Sequence, residues 1–231
     1  MIEVKDLYKV YGKGENQVEA LRGINLSIER GEFLAILGPS GSGKTTLLNC
    51  LSGIDSPTKG EIFFNGIAFH SLGEEEKTKL RAKHMGFVFQ FFNLIPVLTV
   101  LENVELPLKI LGVNHKQGRE RAIEMLKKVD LLEKINRFPS QLSGGEQQRV
   151  AIARALVHKP SIVWADEPTG NLDSETGLMV IELLDKVRAE HGTTLVVVTH
   201  DERIARRADR VLIMRDGKFV KEEPNQKRIT T

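Results

Sequence analysis

An α/β fold with a mostly parallel sheet is predicted by two features of this 231-residue sequence. Short apolar runs alternate along the chain with longer segments of helical periodicity. Each run holds four or five residues without a polar interruption, which is typical of strands covered on both faces, as in a parallel sheet. Helices packed against such a sheet give the α/β architecture.

The individual elements follow one another in a regular order. The apolar runs predict strands at Phe33–Leu37 and at residues 86–89, 162–165, 195–198 and 211–214. The segments between them predict helices at Lys44–Ser52 and at residues 117–129, 145–157, 174–190 and 202–208. In the helix at 117–129 the apolar residues recur at three- and four-residue spacing, so they form a one-sided stripe.

The whole chain, residues 1–231, is expected to form a single domain with two additions to its α/β core. The first thirty residues alternate apolar and polar side chains more evenly, which predicts a small antiparallel sheet. Residues 93–159 are mainly helical and contain three prolines as breakers. We therefore expect a helical subdomain there, inserted into a core formed by residues 1–92 and 160–231.

Several smaller features are expected from single residues. Asp216 and Gly217 predict a hairpin turn, the polar tail from Pro224 is expected to fray, and Cys50 is expected in the core. The charge cluster at residues 74–77 is expected to form a solvated face. Five histidines fit no metal-binding spacing and are expected on the surface: His70, His84, His115, His158 and His191.

The composition excludes several classes of protein. With 41% hydrophobic and 28% charged residues, the chain lies near the average of globular proteins and outside the range of disordered ones. The longest apolar run has five residues, whereas a membrane span needs about 18 or more. A net charge of +2 argues against nucleic-acid binding through a broad positive field. We therefore expect a soluble protein with a substantial core.

A phosphate-binding loop is predicted where the strand Phe33–Leu37 ends. The residues that follow match the pattern G-x-x-x-x-G-K-[ST] in the strand–loop–helix context that this pattern requires. Glycines allow backbone N–H groups to wrap a polyphosphate, and the start of the next helix adds positive potential. Lys44 is expected to reach the β- and γ-phosphates, and Thr45 to coordinate Mg²⁺. The residues expected to hold the nucleotide are Gly38, Pro39, Ser40, Gly41, Ser42, Gly43, Lys44, Thr45 and Thr46.

An acidic pair, Asp166 and Glu167, follows the predicted strand at 162–165. In α/β sheets the ligand lies outside the carboxyl ends of the strands. Asp166 suits the Mg²⁺ shell, and Glu167 suits a base that orients or deprotonates the attacking water. Acidic residues are also common where a helix begins, so the pair acquires a functional meaning only together with the phosphate loop.

A second anion site is predicted at Ser143, Gly144 and Gly145, which open a predicted helix. Their backbone N–H groups, the serine hydroxyl and the helix dipole can all be directed at one anion. Ser143 and Glu146 also fit a capping box, which needs no ligand. Nucleotide binding by itself leaves kinases, GTPases, helicases and transport ATPases as alternatives.

The segment from Leu142 to Gln147 resembles the signature motif of the ATP-binding-cassette ATPases, and the resemblance covers nearly the whole chain. It implies a P-loop NTPase (RecA-like) fold, with a mostly parallel sheet core, an N-terminal antiparallel β subdomain and an inserted α-helical subdomain. It also implies binding of ATP and Mg²⁺ and hydrolysis of the ATP.

The same resemblance assigns roles to four further residues. Tyr11 is similar to the aromatic residue that stacks on adenine, and Gln90 to the glutamine that senses Mg²⁺ and the γ-phosphate. Asp173 ends a loop similar to the one that crosses to the partner subunit, and His200 resembles the histidine that contacts the γ-phosphate. The implied catalytic residues are Glu167, His200, Gln90 and Lys44, and the implied Mg²⁺ ligands are Thr45, Gln90 and Asp166.

In this family ATP is sandwiched in a head-to-tail dimer, so the resemblance implies a second copy of the chain as partner. Each copy then contributes its signature residues to the nucleotide on the other copy: Ser143, Gly144, Gly145 and Glu146. Closing of the dimer on ATP and its loosening after hydrolysis form the implied mechanical cycle.

A cassette ATPase without a membrane span usually works with a separate membrane subunit. The resemblance therefore implies an integral membrane permease as partner, no nucleic-acid partner, and a location at the cytoplasmic face of the cell membrane. The apolar segment at residues 91–99 is expected either to line a groove for a short helix of that permease or to pack internally. Short motifs at 16–22, 90–96, 101–104 and 165–173 are most similar to the prokaryotic lipoprotein-releasing, macrolide-exporting and cell-division-type group.

Three alternatives to a transport ATPase are weaker. Cassette ATPases of DNA repair or chromosome structure carry long coiled-coil arms, and no sustained heptads lie between Lys44 and Leu142. Translation-associated cassette proteins carry two such domains, and this chain holds one. A binding module that has lost hydrolysis is opposed by the presence of Lys44, Asp166, Glu167 and His200.

Overall fold

The computed structural model describes residues 1–224, apart from the side chains of Glu15 and Val187. The tail that was predicted to fray begins at Pro224, and beyond that residue it lies outside the described part of the chain. The strands are β1 (Ile2–Tyr11), β2 (Val18–Ile28), β3 (Phe33–Leu37), β4 (Lys59–Phe64), β5 (Ile67–Ala68), β6 (Met85–Phe89), β7 (Ile162–Asp166), β8 (Thr194–Thr199), β9 (Arg210–Arg215) and β10 (Lys218–Pro224). The helices are α1 (Lys44–Ser52), α2 (Glu74–His84), α3 (Val100–Ile110), α4 (His115–Lys128), α5 (Gly144–Leu156), α6 (Ser174–His191) and α7 (Glu202–Ala205). This alternation confirms the α/β class.

The chain folds as two compact units. The first contains residues 1–81 and the chain from Val196 onward, and the second contains residues 82–195. Strand β8 begins in the second unit and ends in the first. Over residues 1–224, no helix is both long enough and apolar enough to cross a membrane.

An antiparallel sheet with the strand order β2-β1-β4-β5 forms one part of the first unit. The antiparallel pairing expected for the first thirty residues is present, with Val4 opposite Leu26, and β4 extends the sheet by placing Ile62 opposite Val4. Most apolar side chains of these strands are buried, and Leu7 and Leu21 are fully so, whereas Val18 and Ile67 are exposed. Because buried and exposed residues alternate along these strands, the sequence of the first thirty residues alternates apolar and polar side chains instead of forming continuous apolar runs.

The first unit also contains strands in the order β10-β9-β3-β8. Strand β3 pairs in parallel with β9, with Ala35 opposite Val211, and its first four residues from Phe33 are fully buried. This burial matches the prediction from its continuous apolar sequence. Asp216 and Gly217 form the predicted hairpin turn between β9 and β10, with φ angles of 46° and 77° as a type I′ turn requires.

The second unit places helices α3, α4 and α5 against one another and α5 against strand β6. Strands β6 and β7 pair in parallel and end with Phe89 opposite Asp166, so the segments after these two residues leave the strands side by side. Thr99 and Ser143 begin α3 and α5 with capping boxes, which satisfy two N–H groups at each helix start.

Three expectations about single residues and elements are wrong, two of them only in part. Helix α7 ends at Ala205 instead of residue 208. The charge cluster at 74–77 opens helix α2 with Glu74, Glu75 and Glu76 exposed, as expected. The expectation fails only for Lys77, which is buried and lies 3.1 Å from Glu74. His158 is half-buried instead of lying on the surface, and its Nε2 atom is 3.2 Å from the carbonyl oxygen of Met85. His70, His84 and His191 are half-buried too, whereas His115 is exposed as expected.

Candidate nucleotide-binding site

The predicted phosphate loop connects β3 to α1 within the first unit. Gly43 caps α1 with a left-handed φ of 101°, and a Cβ atom there would lie 2.6 Å from the carbonyl oxygen of Ala20. A Cβ atom on Gly38 would lie 2.3 Å from the carbonyl oxygen of Met214. Both positions therefore require glycine, because a side chain would have to displace backbone atoms.

The interior of this loop holds polar groups that suit an anion. The Nζ atom of Lys44 donates to the carbonyl oxygens of Gly38 at 2.8 Å and Pro39 at 3.0 Å. The hydroxyl of Ser42 is buried without a hydrogen-bond partner among the described residues. A buried hydroxyl, a lysine and the start of a helix together match the chemistry of a phosphate site. Thr45 is exposed in the first turn of α1.

The end of strand β8 is attached to the same loop. The N–H group of Gly38 donates to the carbonyl oxygen of Thr199 at 3.3 Å, and His200 follows as an exposed residue. The next residue, Asp201, caps α7 and binds Arg203, which holds the pKa of its carboxyl below the usual range. The predicted histidine and the predicted phosphate loop therefore belong to one hydrogen-bonded part of the first unit.

Tyr11 ends strand β1, and 41% of the residue is exposed. Its hydroxyl donates to the Oδ2 atom of Asp55 at 2.7 Å. Burial raises the pKa of Tyr11, and the hydrogen bond to Asp55 raises it further. A hydrogen bond of Thr46, at the end of the phosphate loop, acts in the opposite direction and lowers the pKa of Tyr11, so the phenol lies beside the phosphate loop.

In the second unit, Gln90 follows β6 and the acidic pair ends β7. The carbonyl oxygen of Gln90 accepts a hydrogen bond from Asn171 at 2.9 Å, and a Cβ atom on Gly170 would lie 2.8 Å from the Nε2 atom of Gln90. Glu167 has a left-handed φ of 44°, a conformation that costs about 1–2 kcal/mol. A hydrogen bond from Gly170 to the carbonyl oxygen of Glu167, at 3.0 Å, closes this turn.

The signature residues begin helix α5. Ser143 is exposed and caps the helix, and its hydroxyl accepts a hydrogen bond from the backbone of Glu146 at 3.3 Å. A Cβ atom on Gly145 would lie 2.6 Å from the Cγ2 atom of Thr176. The structural alternative, a capping box, is therefore present. The positive end of the helix still lies at the exposed Ser143. Behind it, Gly144 is half-buried and Gly145 is buried.

Two carboxylates of the second unit are held in place near these glycines. Glu146 forms an ion pair with Lys134, and this contact, together with the hydrogen bond from the Ser143 backbone, lowers the pKa of its carboxyl. Asp173 caps α6 by accepting hydrogen bonds from the backbone N–H groups of Glu175 at 3.1 Å and Thr176 at 3.0 Å. The side chain of Thr176 and these backbone bonds lower the pKa of Asp173. Both groups therefore stay charged at neutral pH.

Sequence reasoning missed several polar residues that support these candidates. In α5, buried Gln148 donates to the carbonyl oxygen of Pro168, and Arg154 donates to the carbonyl oxygens of Phe92 and Asn93. In the first unit, the side chain of Asp55 binds Tyr11. For Arg154 the available signal was a charged residue within the apolar end of α5, whereas Gln148 lies in a polar run and carried no signal. Asp55 carried no local signal, because its partner is remote along the chain.

A parallel strand that leads into a phosphate loop and a helix, together with an acidic pair at the end of another parallel strand, defines the class of P-loop nucleotide triphosphatases. The family model for ABC transporters matches residues 21–170. The chain belongs to the ABC transporter family, in which it is an ATP-binding ATPase subunit.

Relatives with similar sequences extend over almost the whole chain. The uncharacterized ABC transporter ATP-binding protein MJ0796 of Methanocaldococcus jannaschii is 51% identical over 227 residues, which are 96% of this chain and 97% of that protein. The lipoprotein-releasing system ATP-binding protein LolD of Legionella pneumophila is 49% identical over 217 residues, 94% of this chain and 96% of LolD.

A solved structure of MJ0796 is also similar in fold. It is described as the dimeric structure of a post-hydrolysis state bound to ADP and Pi, with a TM-score of 0.90, 48% identity, and coverage of 98% of this chain and 99% of that one. The P-loop NTPase fold and the class of ATPase predicted from the motifs are therefore confirmed.

Proposed function

We propose that this chain is the motor subunit of a membrane transporter, with a Mg²⁺-dependent ATP site that is completed by a second copy of the chain. The observation that carries the proposal is the presence of two separate anion sites. One is the loop before α1, and the other is the exposed start of α5 at Ser143. A single bound nucleotide in one chain gives no reason for the second site, whereas a head-to-tail pair of chains uses both.

The roles of the residues follow from their chemistry. Lys44 and the loop N–H groups hold the β- and γ-phosphates. Glu167 orients or deprotonates the attacking water, and His200 contacts the γ-phosphate. Thr45, Gln90 and Asp166 offer the oxygen ligands that Mg²⁺ prefers. The ion would neutralise phosphate charge during hydrolysis.

The partner copy would act through its signature helix. The exposed hydroxyl of Ser143 and the first-turn N–H groups of Gly144 and Gly145 would bind the γ-phosphate held by the first copy, and Asp173 would mark the loop that crosses between them. Because ATP binds the closed pair better than the open one, it stabilises the dimer by mass action. The dimeric ADP and Pi complex of MJ0796 supports this arrangement. Residues 93–159 would act as the helical subdomain that carries the signature.

The dimer is tested with Glu167→Gln, which keeps the size of the side chain and removes the base. We expect this variant to elute as a dimer on a sizing column with ATP and Mg²⁺ and as a monomer without nucleotide. The double variant with Lys44→Ala should stay monomeric, because the phosphates lose their lysine. A Glu167→Gln protein that stayed monomeric in saturating ATP and Mg²⁺ would contradict the proposal.

An integral membrane permease is the second proposed partner, with the subunit bound at the cytoplasmic face of the cell membrane. In the segment at 91–99, Phe91 is 72% exposed and Val97 is 77% exposed, which suits docking of an apolar helix. Phe92 instead lies against Gly144, so its packing is partly internal. The similarity to LolD, a lipoprotein-releasing system protein, supports a partner of the lipoprotein-releasing group.

Docking is tested with Phe91→Asp and Val97→Asp, and Val220→Asp serves as the control because Val220 is also exposed, at 57%, but lies on β10. We expect the first two variants to keep ATP binding and to lose co-purification with the membrane subunit from native membranes. Retention of that subunit by both variants would rule out this surface.

A further inference from the structure

Tyr11 belongs to a small hydrogen-bonded cluster in the first unit, which also contains Asp55 and Lys9. The Oδ2 atom of Asp55 accepts the hydrogen bond from the Tyr11 hydroxyl at 2.7 Å. Its Oδ1 atom accepts from the Nζ atom of Lys9 at 2.6 Å and from the backbone of Ser56 at 2.7 Å. Both carboxylate oxygens are therefore used, and the ring is linked to a fixed anion.

Lys9 contacts the same ring from above. Its Nζ atom lies over the ring of Tyr11 at 4.8 Å from the centroid and also donates to the carbonyl oxygen of Ser56 at 2.7 Å. A lysine held by a carboxylate and a carbonyl group has little freedom to leave the ring. One face of the ring is thus covered by a cation. Because 41% of Tyr11 is exposed, a planar ligand would have to stack on the opposite face.

The position of Asp55 is itself fixed by the backbone. Its N–H group donates to the carbonyl oxygen of Asn49 in α1 at 3.1 Å. A few residues later, Thr58 donates from its N–H group to the carbonyl oxygen of Tyr8 at 2.8 Å and accepts from the N–H group of Val10 at 3.0 Å. The loop after the phosphate-binding helix is therefore attached to the strand that carries Tyr11.

We infer that Asp55 and Lys9 are positioning residues for the nucleotide base: they hold the Tyr11 ring in an orientation in which the face opposite Lys9 stacks on adenine. The inference rests on the proposed ATP site and on the adenine-stacking role that the sequence resemblance implies for Tyr11. Asp55 fixes the end of the ring, Lys9 covers one face, and the ring does not have to be ordered when ATP arrives. Preorganisation of this kind increases affinity because less conformational entropy is lost on binding.

The charge of the Asp55 carboxylate supports this arrangement. Burial acts to raise the pKa of Asp55, but the hydrogen bonds from Lys9 and Tyr11 outweigh it and lower the pKa overall. The carboxylate is therefore ionised at neutral pH and remains an acceptor for both partners.

The experiment compares two ligands that share the phosphates and differ in the base. Dissociation constants for ATP and for inorganic tripolyphosphate are measured by calorimetry on the full chain for the wild type, Tyr11→Ala, Asp55→Ala, Lys9→Met and the double variant Tyr11→Ala/Asp55→Ala. Lys59→Met is the matched control. Lys59 also lies over a tyrosine ring, at 5.5 Å from the centroid, but that ring belongs to Tyr8, which is on the same strand as Tyr11.

We expect Asp55→Ala to weaken ATP about fivefold and Lys9→Met about threefold, with tripolyphosphate changed less than about twofold. Asp55→Asn, which keeps an acceptor for Tyr11, should recover part of the loss. The double variant should bind ATP no more weakly than Tyr11→Ala, because Asp55 acts through Tyr11. Lys59→Met should match the wild type.

The outcomes separate the inference from the proposal beneath it. If Tyr11→Ala bound ATP like the wild type, base stacking on Tyr11 would be wrong and the positioning role would fall with it. If Tyr11→Ala weakened ATP but Asp55→Ala and Lys9→Met did not, only the positioning role would be overturned. Equal weakening of ATP and tripolyphosphate by Asp55→Ala would also overturn it, since the effect would not concern the base.

Discussion

The carboxylate of Glu146 is an unfavourable charge at the start of α5, where the proposed site attracts the γ-phosphate of a partner. The capping box accounts for a carboxylate there, since Glu146 accepts a hydrogen bond from the N–H group of Ser143 at 2.8 Å. The ion pair with Lys134 accounts for how the charge is tolerated. At the proposed site, Lys134 would therefore act through Glu146 by neutralising its charge.

We predict that Lys134→Met weakens the ATP-dependent dimer of the Glu167→Gln protein about fivefold, as roughly 1 kcal/mol for a partly exposed ion pair implies. Glu146→Gln keeps the capping box without the charge, so adding it to Lys134→Met should restore the dimer. The dimer dissociation constant is measured by analytical ultracentrifugation with ATP. The prediction fails if the double variant is as weak as Lys134→Met alone.

His158 is a half-buried base. One of its ring nitrogens lies near the Met85 carbonyl, and its Nδ1 atom is buried without a partner among the described residues. Burial lowers its pKa below the usual value of 6.5. The unfolded chain therefore binds the proton more readily than the folded chain does. As the pH falls below about 6.5, the unfolded state gains protons first, and the free energy of unfolding decreases until the folded pKa is reached.

We predict that His158→Gln reduces this loss of stability between pH 7.5 and pH 5, because the amide can still donate to Met85 and does not titrate. The free energy of unfolding in urea is measured across that range. His115→Gln is the control, since His115 is exposed on α4, and it should leave the pH dependence unchanged. Equal pH dependence in the wild type and His158→Gln would show that protonation of the His158 ring does not cause the loss of stability at low pH.

At the scale of elements, helix α5 connects the signature residues to the segment that follows Gln90. Its Arg154 donates to the carbonyl oxygen of Phe92 at 2.8 Å and to that of Asn93 at 2.6 Å. Both accepting residues have left-handed φ angles, 60° and 47°, and each costs about 1–2 kcal/mol. Burial lowers the pKa of Arg154 to about 10, so the guanidinium is still charged at neutral pH and can hold this turn.

We predict that Arg154→Met lowers the free energy of unfolding by about 2 kcal/mol, the value of a charged hydrogen-bond donor that is lost. Arg154→Lys should recover part of it, because one ammonium group cannot replace the guanidinium fork. Urea unfolding is the measurement, and Arg121→Met on an exposed part of α4 is the control. If Arg154→Met were no less stable than this control, α5 would not hold the turn.

The elements that sequence reasoning predicted and those it missed differ in the source of their stability. Strands β3 and β7 are continuous apolar runs, and such a composition predicts the burial on both faces that the structure has. Helix α2 has many charged residues and almost no apolar stripe, so periodicity gave no signal for it. It is supported instead by acidic residues in its first turn and by good helix propensity.

For the candidate site, the local motifs were predictable and the contacts between distant segments were not. The phosphate loop and the capping box at Ser143 each lie within a few consecutive residues, so a pattern defines them. The contact of Asp55 with Tyr11 joins residues 44 positions apart. Such a pair depends on how α1 returns the chain to β1, which a single sequence does not specify.

At the scale of the whole molecule, the proposed dimer couples ATP binding to protein concentration. A ligand bound by one chain raises the melting temperature by an amount set by its own concentration, whereas a ligand shared by two chains also makes the shift depend on the amount of protein. The exposed Ser143 allows the two cases to be separated without loss of the helix cap. Asp and Asn are both good N-cap residues, but only Asp adds a negative charge to the proposed phosphate site.

We therefore predict opposite results for Ser143→Asp and Ser143→Asn in the Glu167→Gln background. With ATP and Mg²⁺, the melting temperature of Ser143→Asn should rise with protein concentration, as in the parent. In Ser143→Asp the carboxylate repels the γ-phosphate, so the ATP-induced shift should persist through the Lys44 loop but become independent of protein concentration. Differential scanning calorimetry over about a hundredfold range of protein concentration measures both. A concentration-dependent shift in Ser143→Asp would mean that the start of α5 does not bind the partner's nucleotide.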